Sequence, residues 1–338
     1  MTERVAVIGT GTWGTTLAIL LAQKGLPTIL WCRAAEEAAQ LSHDRENKAR
    51  LPGTAFPPQL TATASLLEAV ASCTTLLLVV PAQTMRANLR LVREHLSREA
   101  LVLSCAKGIE LASCKRMSEV IAEEMPEAAQ RLAVLSGPNL AREIAAGLPA
   151  TSVVAARDVQ IATRLRALLM TPLFRVYTNS DLVGVELAGA LKNIIAIGAG
   201  FCDGLRLGDS AKAAFIGRGL LEIARLGVAA GALPLTFAGL AGLGDIIATC
   251  ASPYSRNRYV GEQLARGRSL DEVQRNLRMV AEGVATTPAA RQLAQRHGIE
   301  MPIVEMTHAV LFEGKNPREA LVELMTRDPK DEFAGILS

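Results

Sequence analysis

A lysine inside an otherwise apolar helical pattern is the residue of this chain whose surroundings most strongly suggest acid–base chemistry. Lys192 lies in the segment VELAGALKNII, residues 185–195. The small residues Ala188 and Gly189 stand one helical turn earlier on the same face and leave room for a ligand beside the ammonium group. An ammonium group that is withdrawn from water releases its proton more readily, which suits a general acid or base near neutral pH. The alternative is a surface lysine whose stem lies along apolar residues while its ammonium reaches water.

The glycine-rich segment LAGLGD, residues 240–245, ends in an acidic residue. Its glycines predict a tight loop that directs Asp245 either toward a substrate hydroxyl group or toward the ammonium of Lys192. An equally good interpretation of the segment alone is that Asp245 caps a helix that begins at Ile246.

Three residues at the start of a predicted helix form a candidate anion site. Ser255 is a typical N-cap residue, so the backbone N–H groups of Arg256 and Asn257 are expected to point outward along the helix dipole. The guanidinium of Arg256 adds a forked donor that matches a phosphate group. The alternative is an ordinary capped helix on the surface.

Two further candidate segments follow predicted strands. Lys107 comes directly after one strand-like segment, and Gly137 and Asn139 come directly after another. In a doubly wound sheet the carboxyl ends of the strands face the ligand crevice, so we expect these loops to contribute to one pocket. Such a set could reduce a ketone, because reduction needs an acid for the developing alkoxide and groups that hold the rest of the substrate still.

A glycine-rich turn near the N-terminus predicts a site for the hydride donor. The segment GTGTWG, residues 9–14, directly follows a strand-like segment and directly precedes a helical pattern. Gly9 permits the tight turn, Gly11 lets a pyrophosphate approach the backbone, and Gly14 lets helix and strand pack closely. The phosphates then lie at the helix N-terminus, where free N–H groups favour an anion. An ordinary glycine turn is the alternative, which the strand–turn–helix context disfavours.

The residue after the second strand-like segment indicates which dinucleotide is bound. Sites specific for NAD usually carry Asp or Glu there, bonded to the ribose 2′-hydroxyl. This chain has Arg33 instead, and a guanidinium can pair with a 2′-phosphate that a carboxylate would repel. The sequence therefore predicts NADPH or NADH as cofactor, with NADPH favoured. The alternative is a solvated surface arginine.

The elements that must position these residues change in character along the chain. In the first half, short apolar segments alternate with helical patterns such as Thr15–Lys24 and Met85–His95, which predicts a parallel sheet covered by helices on both faces. The strand-like segments are Val5–Ile8, Thr28–Cys32, Leu76–Val80, Leu101–Cys105, Leu132–Leu135, Ser152–Ala155 and Phe174–Tyr177. Helical periodicity replaces them from about Asp181. We therefore predict a dinucleotide-binding domain over residues 1–180 and a helical substrate-binding and catalytic domain over residues 181–338.

The second half is predicted to contain seven helices. They are Asp181–Cys202, Ala211–Leu226, Arg256–Arg266, Leu270–Asn276, Ala285–His297, Met301–Phe312 and Pro317–Met325. The run Leu226–Gly244 has no charged residue, but it is rich in Gly and Ala and has Pro234 in its middle. We therefore predict a helix end, a turn and a buried loop there, and no membrane span.

Composition excludes several classes of protein. A chain of 338 residues, half of them hydrophobic, can form two domains with real cores. The 36 basic and 33 acidic residues nearly balance and form no dense basic stripe, so nucleic acid is not expected as a partner. The six cysteines show no CxxC pair and no metal-ligand spacing with the four histidines. We expect reduced thiols, no metal site, no signal peptide and a cytoplasmic protein.

Taken together, these segments make the chain resemble the NAD(P)-dependent glycerol-3-phosphate dehydrogenases of the bacterial type. The resemblance covers nearly the whole chain and includes, in order, GTGTWGTTLA, LLLVVPAQ, CAKGIE, LSGPNLAREIAAGLPA, VELAGALKNIIAIGAG, LAGLGDIIATC, SRNR and AEGVAT. It implies an α/β fold with an N-terminal Rossmann-type domain and an all-helical C-terminal domain like that of 6-phosphogluconate dehydrogenase. The implied activity is the reversible reduction of dihydroxyacetone phosphate to sn-glycerol 3-phosphate, feeding glycerophospholipid synthesis.

The resemblance also assigns site residues by motif. Lys192 matches the general acid/base and contacts the substrate. The implied cofactor contacts are Gly9, Gly11, Thr12, Trp13, Gly14, Arg33, Lys107, Ala141, Arg256, Val280 and Glu282. The other implied substrate contacts are Lys107, Gly137, Asn139, Asp245, Ser255, Arg256 and Asn257. Asn139 departs from the family, which usually has Ser or Thr there; an amide still donates and accepts hydrogen bonds, but with a different reach.

Two other functions remain open at the level of sequence. A related β-hydroxyacid dehydrogenase or ketopantoate-type reductase would share the fold and a lysine, but its substrate has no phosphate and would not need the helix start at Ser255. A non-catalytic nucleotide-binding regulator would not need Lys192, Asp245 and Arg256 together. The ratio of NADP to NAD use stays open, as does the oligomeric state, with a homodimer as one option.

Overall fold

The computed structural model describes residues 3–277, 280–329 and 331–335. The chain separates into two compact units, of which the first comprises Met1–Ala106 with Met117–Leu182 and the second Lys107–Arg116 with Val183–Ser338. The sequence prediction placed all of residues 1–180 in the first domain. Lys107–Arg116 departs from that prediction, because the segment makes its contacts with the helices of the second unit.

The first unit is built around an eight-stranded sheet within the described residues, with the order β3-β2-β1-β4-β5-β6-β7-β8. The strands are β1 Val5–Ile8, β2 Thr28–Trp31, β3 Leu60–Thr63, β4 Thr75–Leu78, β5 Leu101–Ser104, β6 Leu132–Ser136, β7 Ala150–Ala156 and β8 Phe174–Asn179. The helices of this unit are α1 Thr12–Gln23, α2 Ala35–Asp44, α3 Leu66–Val70, α4 Met85–Val92, α5 Met117–Glu124, α6 Ala141–Ala145 and α7 Val159–Leu169.

The direction of the last two strands corrects the prediction of an all-parallel sheet. Strands β1 to β6 are parallel, but β7 pairs with β6 in the antiparallel sense and β8 then runs parallel to β7. The only helix between β6 and β7 is α6, which has five residues and a length of about 7.5 Å. Strand β6 is about 16 Å long, so α6 is too short to return the chain to the end of the sheet at which β6 starts, as a parallel β7 would need.

Strand β3 is an edge strand that the sequence prediction missed. Of its four residues only Leu60 is buried, so it presents no continuous apolar run. Hydrophobic residues on the two faces of the sheet pack into separate clusters, as the alternation along β1 illustrates: Val5 and Val7 join the cluster with α1, whereas Ala6 and Ile8 join the cluster with α4 and α5. The sheet is thus covered on both faces, as predicted for a doubly wound fold.

The described part of the second unit is helical. Its helices are α8 Leu182–Gly204, α9 Asp209–Ala229, α10 Pro234–Ala238, α11 Asp245–Ala251, α12 Arg256–Ala265, α13 Leu270–Asn276, α14 Glu282–His297, α15 Pro302–Phe312 and α16 Pro317–Met325. Between α10 and α11 the residues Leu240–Gly244 form a single π-helical turn. The run Leu226–Gly244 was predicted to be a helix end, a turn and a buried loop. The helix end is present, since α9 ends at Ala229, but the part predicted as a buried loop is mostly helical, and Leu235 within it is 83% exposed.

Two helical stretches have the length and hydropathy that a membrane span requires, Leu182–Gly204 and Pro234–Ala251. In the first, 89% of the apolar window is buried in the protein, as in the central helix of a globular fold. In the second, 44% of the window is buried, and Asp245 in its middle is an ionisable residue only 2% exposed. These are weak indications of a membrane protein, since core helices share the same composition.

Candidate active site

The glycine turn of the first unit has the geometry that its sequence predicts. Gly9 adopts a φ of +123°, and a Cβ atom on it would lie 2.4 Å from the carbonyl oxygen of Val79. A Cβ atom on Gly14 would lie 2.0 Å from the carbonyl oxygen of Gly9, so the start of α1 packs directly on the turn. Gly11 is the N-cap of α1 and has no side chain to cap the helix, which leaves the helix start open to an anion.

The first residues of α1 make contacts with neighbouring loops. The Thr12 hydroxyl donates a hydrogen bond to the carbonyl of Arg50 at 3.1 Å. Trp13 packs edge-on against Phe174 with ring centroids 6.4 Å apart, and its Nε1 is buried without a hydrogen-bond partner in the described structure. The backbone carbonyl of Ala141, at the start of α6, accepts a hydrogen bond from the hydroxyl of Thr16 on α1. This contact places α6 against α1.

Arg33 is exposed just beyond the end of β2, where the ribose of a dinucleotide is expected. Its Nη2 donates to Oδ1 of Asn88 at 3.1 Å, and the buried Asn88 amide donates in turn to the carbonyl of Thr84 at 2.7 Å. The Asn88 side chain therefore orients the guanidinium but leaves most of its N–H groups available.

Gly137 and Asn139 follow β6. Gly137 has a φ of +135°, and Asn139 donates its side-chain amide to the hydroxyl of Ser152 at 3.1 Å. That hydroxyl donates to the carbonyl of Ser136 at 2.8 Å. The Asn139 Oδ1 atom is buried and has no hydrogen-bond partner in the described structure, so it is an acceptor that a ligand could satisfy.

The second unit gathers three predicted residues into one buried cluster. Lys192 on α8 places its Nζ 2.9 Å from Oδ1 of Asp245, the first residue of α11. Lys107 places its Nζ 2.7 Å from the other carboxylate oxygen, Oδ2. The carboxylate thus bridges two ammonium groups. Pairing with Lys192 was one of the three sequence interpretations of Asp245, whereas pairing with Lys107 was not among them.

Thr249 is a further member of this cluster that the sequence analysis missed. Its hydroxyl accepts a hydrogen bond from Lys192 Nζ at 2.5 Å and donates to Oδ1 of Asp245 at 3.2 Å. The signal was present in the spacing, because residues four apart share one face of a helix. Thr249, four residues after Asp245 on α11, therefore faces the same site as the Asp245 carboxylate.

The charge of Asp245 is set by its two lysine partners. Burial by itself would raise the pKa of the Asp245 carboxyl, but the positive charges and hydrogen bonds of Lys107 and Lys192 outweigh it and hold this pKa below the usual value. The carboxylate consequently remains ionised across the neutral range and keeps both ammonium groups in place.

A chain of side-chain amides connects this cluster to the start of α12. Asn193, next to the catalytic candidate, donates to the backbone carbonyl of Lys107 at 3.2 Å and accepts from Nδ2 of Asn257 at 2.8 Å. The Oδ1 atom of Asn257 accepts from the backbone N–H of Gly283 at 3.0 Å. The side chain of Asn257 is therefore engaged inside the protein, and the sequence argument for its N–H group remains a prediction.

The start of α12 has the predicted cap. The Ser255 hydroxyl accepts from the backbone N–H of Arg258 at 3.2 Å. Arg256 is exposed, and its Nη1 donates to the carbonyl of Val280 at 2.7 Å, just before Glu282 opens α14. Arg256, Val280 and Glu282 are thus brought together from two distant parts of the sequence.

Comparison with known proteins assigns the family. Residues 4–162 match the profile described as the N-terminus of NAD-dependent glycerol-3-phosphate dehydrogenase, and residues 181–322 match the profile of its C-terminus. The chain belongs to the NAD-dependent glycerol-3-phosphate dehydrogenase family. The resemblance predicted from its motifs is therefore confirmed, as is the combination of a Rossmann-type unit with a helical unit.

Individual members of the glycerol-3-phosphate dehydrogenase family match over almost their full length. A glycerol-3-phosphate dehydrogenase (NAD(P)+) of Dehalococcoides mccartyi is 49% identical over 335 residues, which cover 98% of this chain and 93% of that protein. The protein of the same name from Moorella thermoacetica is 50% identical over 327 residues, 97% of each chain. Both names specify NAD(P), which supports NADH or NADPH as cofactor.

Solved structures agree with this assignment. The crystal structure of glycerol-3-phosphate dehydrogenase from Coxiella burnetii has a TM-score of 0.92 at 37% identity and covers 96% of this chain and 99% of that one. A ketopantoate reductase from Ralstonia eutropha has a TM-score of 0.59 at 14% identity, covering 94% of this chain and 100% of that one. The second likeness shows a shared fold alone.

Proposed function

We propose that this chain reduces dihydroxyacetone phosphate to sn-glycerol 3-phosphate, reversibly, with NADPH or NADH. The observation that carries the proposal is the buried arrangement of Lys192, Asp245 and Lys107 in a member of the glycerol-3-phosphate dehydrogenase family. The glycine turn at Gly9 and Gly14 fits a dinucleotide, because a Cβ atom at either position would collide with backbone.

Lys192 is proposed as the general acid. When bound, the reduced nicotinamide supplies a hydride to the carbonyl carbon. The Lys192 ammonium donates its proton to the oxygen that becomes the alkoxide, and takes a proton back in the reverse direction. Asp245 and Thr249 fix the position of Nζ with contacts of 2.9 Å and 2.5 Å, so the ammonium is oriented before the substrate arrives.

The remaining substrate contacts are assigned by the family motifs and by local geometry. Lys107 adds a second positive charge beside the reacting oxygen and is also proposed to contact the cofactor. The start of α12 at Ser255, Arg256 and Asn257 is proposed to hold the phosphate, since a capped helix start and a guanidinium both favour a dianion. The other proposed substrate contacts are Gly137 and Asn139.

The proposed cofactor contacts are the residues that the glycine turn and the family motifs imply. Gly9, Gly11, Thr12, Trp13 and Gly14 are assigned to the pyrophosphate end, with Ala141 against α1. Arg33, oriented by Asn88, is assigned to the ribose 2′-phosphate, and we therefore propose a preference for NADPH over NADH. Lys107, Arg256, Val280 and Glu282 complete the proposed set.

The cellular setting is proposed on chemical grounds. The product, sn-glycerol 3-phosphate, is the backbone of glycerophospholipids, so the reaction would supply their synthesis. The six cysteines are all buried and none forms a disulfide, which suits the reducing environment of the cytoplasm. A homodimer remains a proposal to be tested by sedimentation or light scattering.

A direct assay tests the proposed function. Purified protein is mixed with NADPH and either dihydroxyacetone phosphate or unphosphorylated dihydroxyacetone, and the decay of absorbance at the reduced nicotinamide band is followed. We expect rapid oxidation with the phosphorylated ketone and very slow oxidation without phosphate. Equal rates with both ketones would point to a reductase for an unphosphorylated substrate, and no oxidation with either would indicate a nucleotide-binding regulator.

A further inference from the structure

We propose that Asn47 is a positioning residue for the dinucleotide, which sets the orientation of the glycine turn from a loop outside the Rossmann motif. The inference concerns cofactor binding by the first unit and rests on the proposed function only in taking the cofactor to be NADPH or NADH. Asn47 lies between α2 and β3, in a stretch to which the sequence analysis assigned no role.

The side chain of Asn47 is 2% exposed, and both ends of its amide are hydrogen-bonded. The Nδ2 group donates to the carbonyl oxygen of Thr10 at 2.9 Å and to the hydroxyl of Thr15 at 2.9 Å. The Thr15 hydroxyl donates in turn to the same Thr10 carbonyl at 3.3 Å, and Oδ1 of Asn47 accepts from the N–H of Arg50 at 3.2 Å. Thr10 is the residue between the first two glycines of the turn, so two donors converge on the peptide that leads into Gly11.

Holding the Thr10 carbonyl has a consequence for the opposite side of the same peptide. The C=O and N–H groups of a trans peptide point in opposite directions, and the unit is planar. Once Asn47 and Thr15 fix the direction of the Thr10 carbonyl, the N–H of Gly11 is fixed as well. That N–H stands at the start of α1, among the groups that a pyrophosphate approaches. Gly9 and Gly11, on either side of Thr10, permit other orientations of the backbone, so an external constraint on the Thr10–Gly11 peptide is needed.

The loop that carries Asn47 is anchored independently of the glycine turn. The N–H of Leu51 donates to the Asn47 carbonyl at 2.7 Å, and the Leu51 side chain is 3% exposed in the core of the first unit. The guanidinium of Arg45 donates to the carbonyls of Leu60 and Pro57 and closes the base of the loop. A second link joins loop and turn, since Thr12 donates to the Arg50 carbonyl. The loop can therefore act as a fixed support for the turn.

The first test compares Asn47→Asp and Asn47→Ala with the wild type in an NADPH fluorescence titration. Aspartate keeps the acceptor for the Arg50 N–H but has no donor for the Thr10 carbonyl, so it disturbs the turn with little change in volume. We expect the Kd for NADPH to rise by about tenfold or more in both variants, as the loss of two hydrogen bonds to a turn predicts. We expect kcat at saturating NADPH and the KM for dihydroxyacetone phosphate to stay within about twofold of the wild type.

Two further comparisons separate positioning from simple loss of stability. Thr15→Val removes one partner of the amide and should also raise the Kd, whereas Thr15→Ser keeps the hydroxyl and should restore it. Leu168→Ala removes a buried leucine of α7 from the hydrophobic cluster that also contains Leu51. We expect it to lower the stability of the first unit without changing a contact of the glycine turn. We expect its Kd to remain within about twofold of the wild-type value.

The outcomes distinguish this inference from the proposed function. Unchanged NADPH affinity in Asn47→Asp, Asn47→Ala and Thr15→Val overturns the role of Asn47 and leaves the reaction untouched. A rise in Kd for Leu168→Ala as large as for the Asn47 variants also overturns it, because affinity would then follow stability. Wild-type protein that binds neither NADPH nor NADH overturns the proposed function and this inference with it.

Discussion

Lys192 and Asp245 form an ion pair inside the second unit, with Nζ 2.9 Å from Oδ1 and side chains only 8% and 3% exposed. Burying two charges is costly unless the remaining donors and acceptors are satisfied. Here the Lys107 ammonium pairs with Oδ2 of Asp245. The Thr249 hydroxyl forms hydrogen bonds with both Lys192 and Asp245. The cluster therefore combines a proton donor with a fixed counter-charge, which the following predictions probe.

Replacing Lys192 tests the proposed acid. We expect Lys192→Ala to lower kcat by about 10² to 10⁴-fold, because the variant loses the ammonium group that is proposed to protonate the alkoxide. The Kd for NADPH, measured by fluorescence, should stay close to the wild-type value. Lys315→Ala serves as the control, since this lysine pairs with Glu323 at the surface of the same unit. Near-normal turnover in a folded Lys192→Ala protein would remove Lys192 from the mechanism.

Removing the charge of Asp245 should reduce stability in a pH-dependent way. Asp245→Asn leaves the buried ammonium of Lys192 and the partly buried ammonium of Lys107 without a counter-charge, and breaking a buried pair costs about 3–5 kcal/mol. The folded-state pKa of Asp245 lies below its usual value, so its contribution is present above about pH 4 and is lost as the pH falls through the folded pKa. Urea unfolding from pH 7 to pH 3 should show the difference in stability between the two proteins beginning to shrink as the pH falls below about 4. A constant difference over this range would contradict the assignment.

Arg33 should decide between the two dinucleotides. We expect Arg33→Asp to raise the KM for NADPH about tenfold to a hundredfold and to change the KM for NADH little, because a charge-assisted contact is worth about 1.5–3 kcal/mol. Arg157→Asp makes the same change of charge at another exposed arginine of the first unit and is the control. If both cofactors weaken equally in Arg33→Asp, the guanidinium does not contact the 2′-phosphate.

Arg256 should affect the phosphorylated ketone selectively. The phosphate is remote from the carbonyl, so its binding energy helps to orient the reacting group and appears in kcat as well as in KM. We expect Arg256→Ala to lower kcat/KM strongly for dihydroxyacetone phosphate and very little for dihydroxyacetone, with NADPH saturating in both assays. Arg266→Ala, at the other end of α12, is the matched control. An equal loss for both ketones would show that Arg256 does not hold the phosphate.

Glu222 on α9 should make stability fall between acidic and neutral pH. Burial raises the pKa of Glu222 to about 7, although the N–H groups of Ile303 and Val304 at the start of α15 donate to it and oppose the rise. The folded state therefore favours the protonated form, and stability declines as the pH rises from about 4.5 to about 7. In Glu222→Gln that decline should be absent, as measured by thermal unfolding at a series of pH values. Parallel pH profiles for the two proteins would contradict this prediction.

Much of the first unit could be predicted from local pattern. Gly9 and Gly14 are required by backbone geometry, and the spacing of the three glycines in residues 9–14 predicts a strand, a tight turn and a helix. Strand β3 escaped detection because an edge strand with one buried residue has no apolar run. The antiparallel direction of β7 was not predicted for another reason. The residue pattern within a strand does not distinguish parallel from antiparallel pairing, which depends on the length of the connection from β6 to β7.

The sequence by itself determined the family, through a series of motifs in order, and the dinucleotide turn and the capped start of α12, because each of these motifs consists of residues close together in the chain. It left open whether Lys192 is buried or at the surface, and the structure shows it buried. Only the tertiary structure decided that Lys107 pairs with Asp245, 138 residues away, and that its segment belongs to the helical unit. It likewise placed Asn47 on Thr10, 37 residues apart. Such contacts follow from how the chain returns to itself, and the physical reason that they escape prediction is that a polar side chain does not specify its distant partner until packing has buried both.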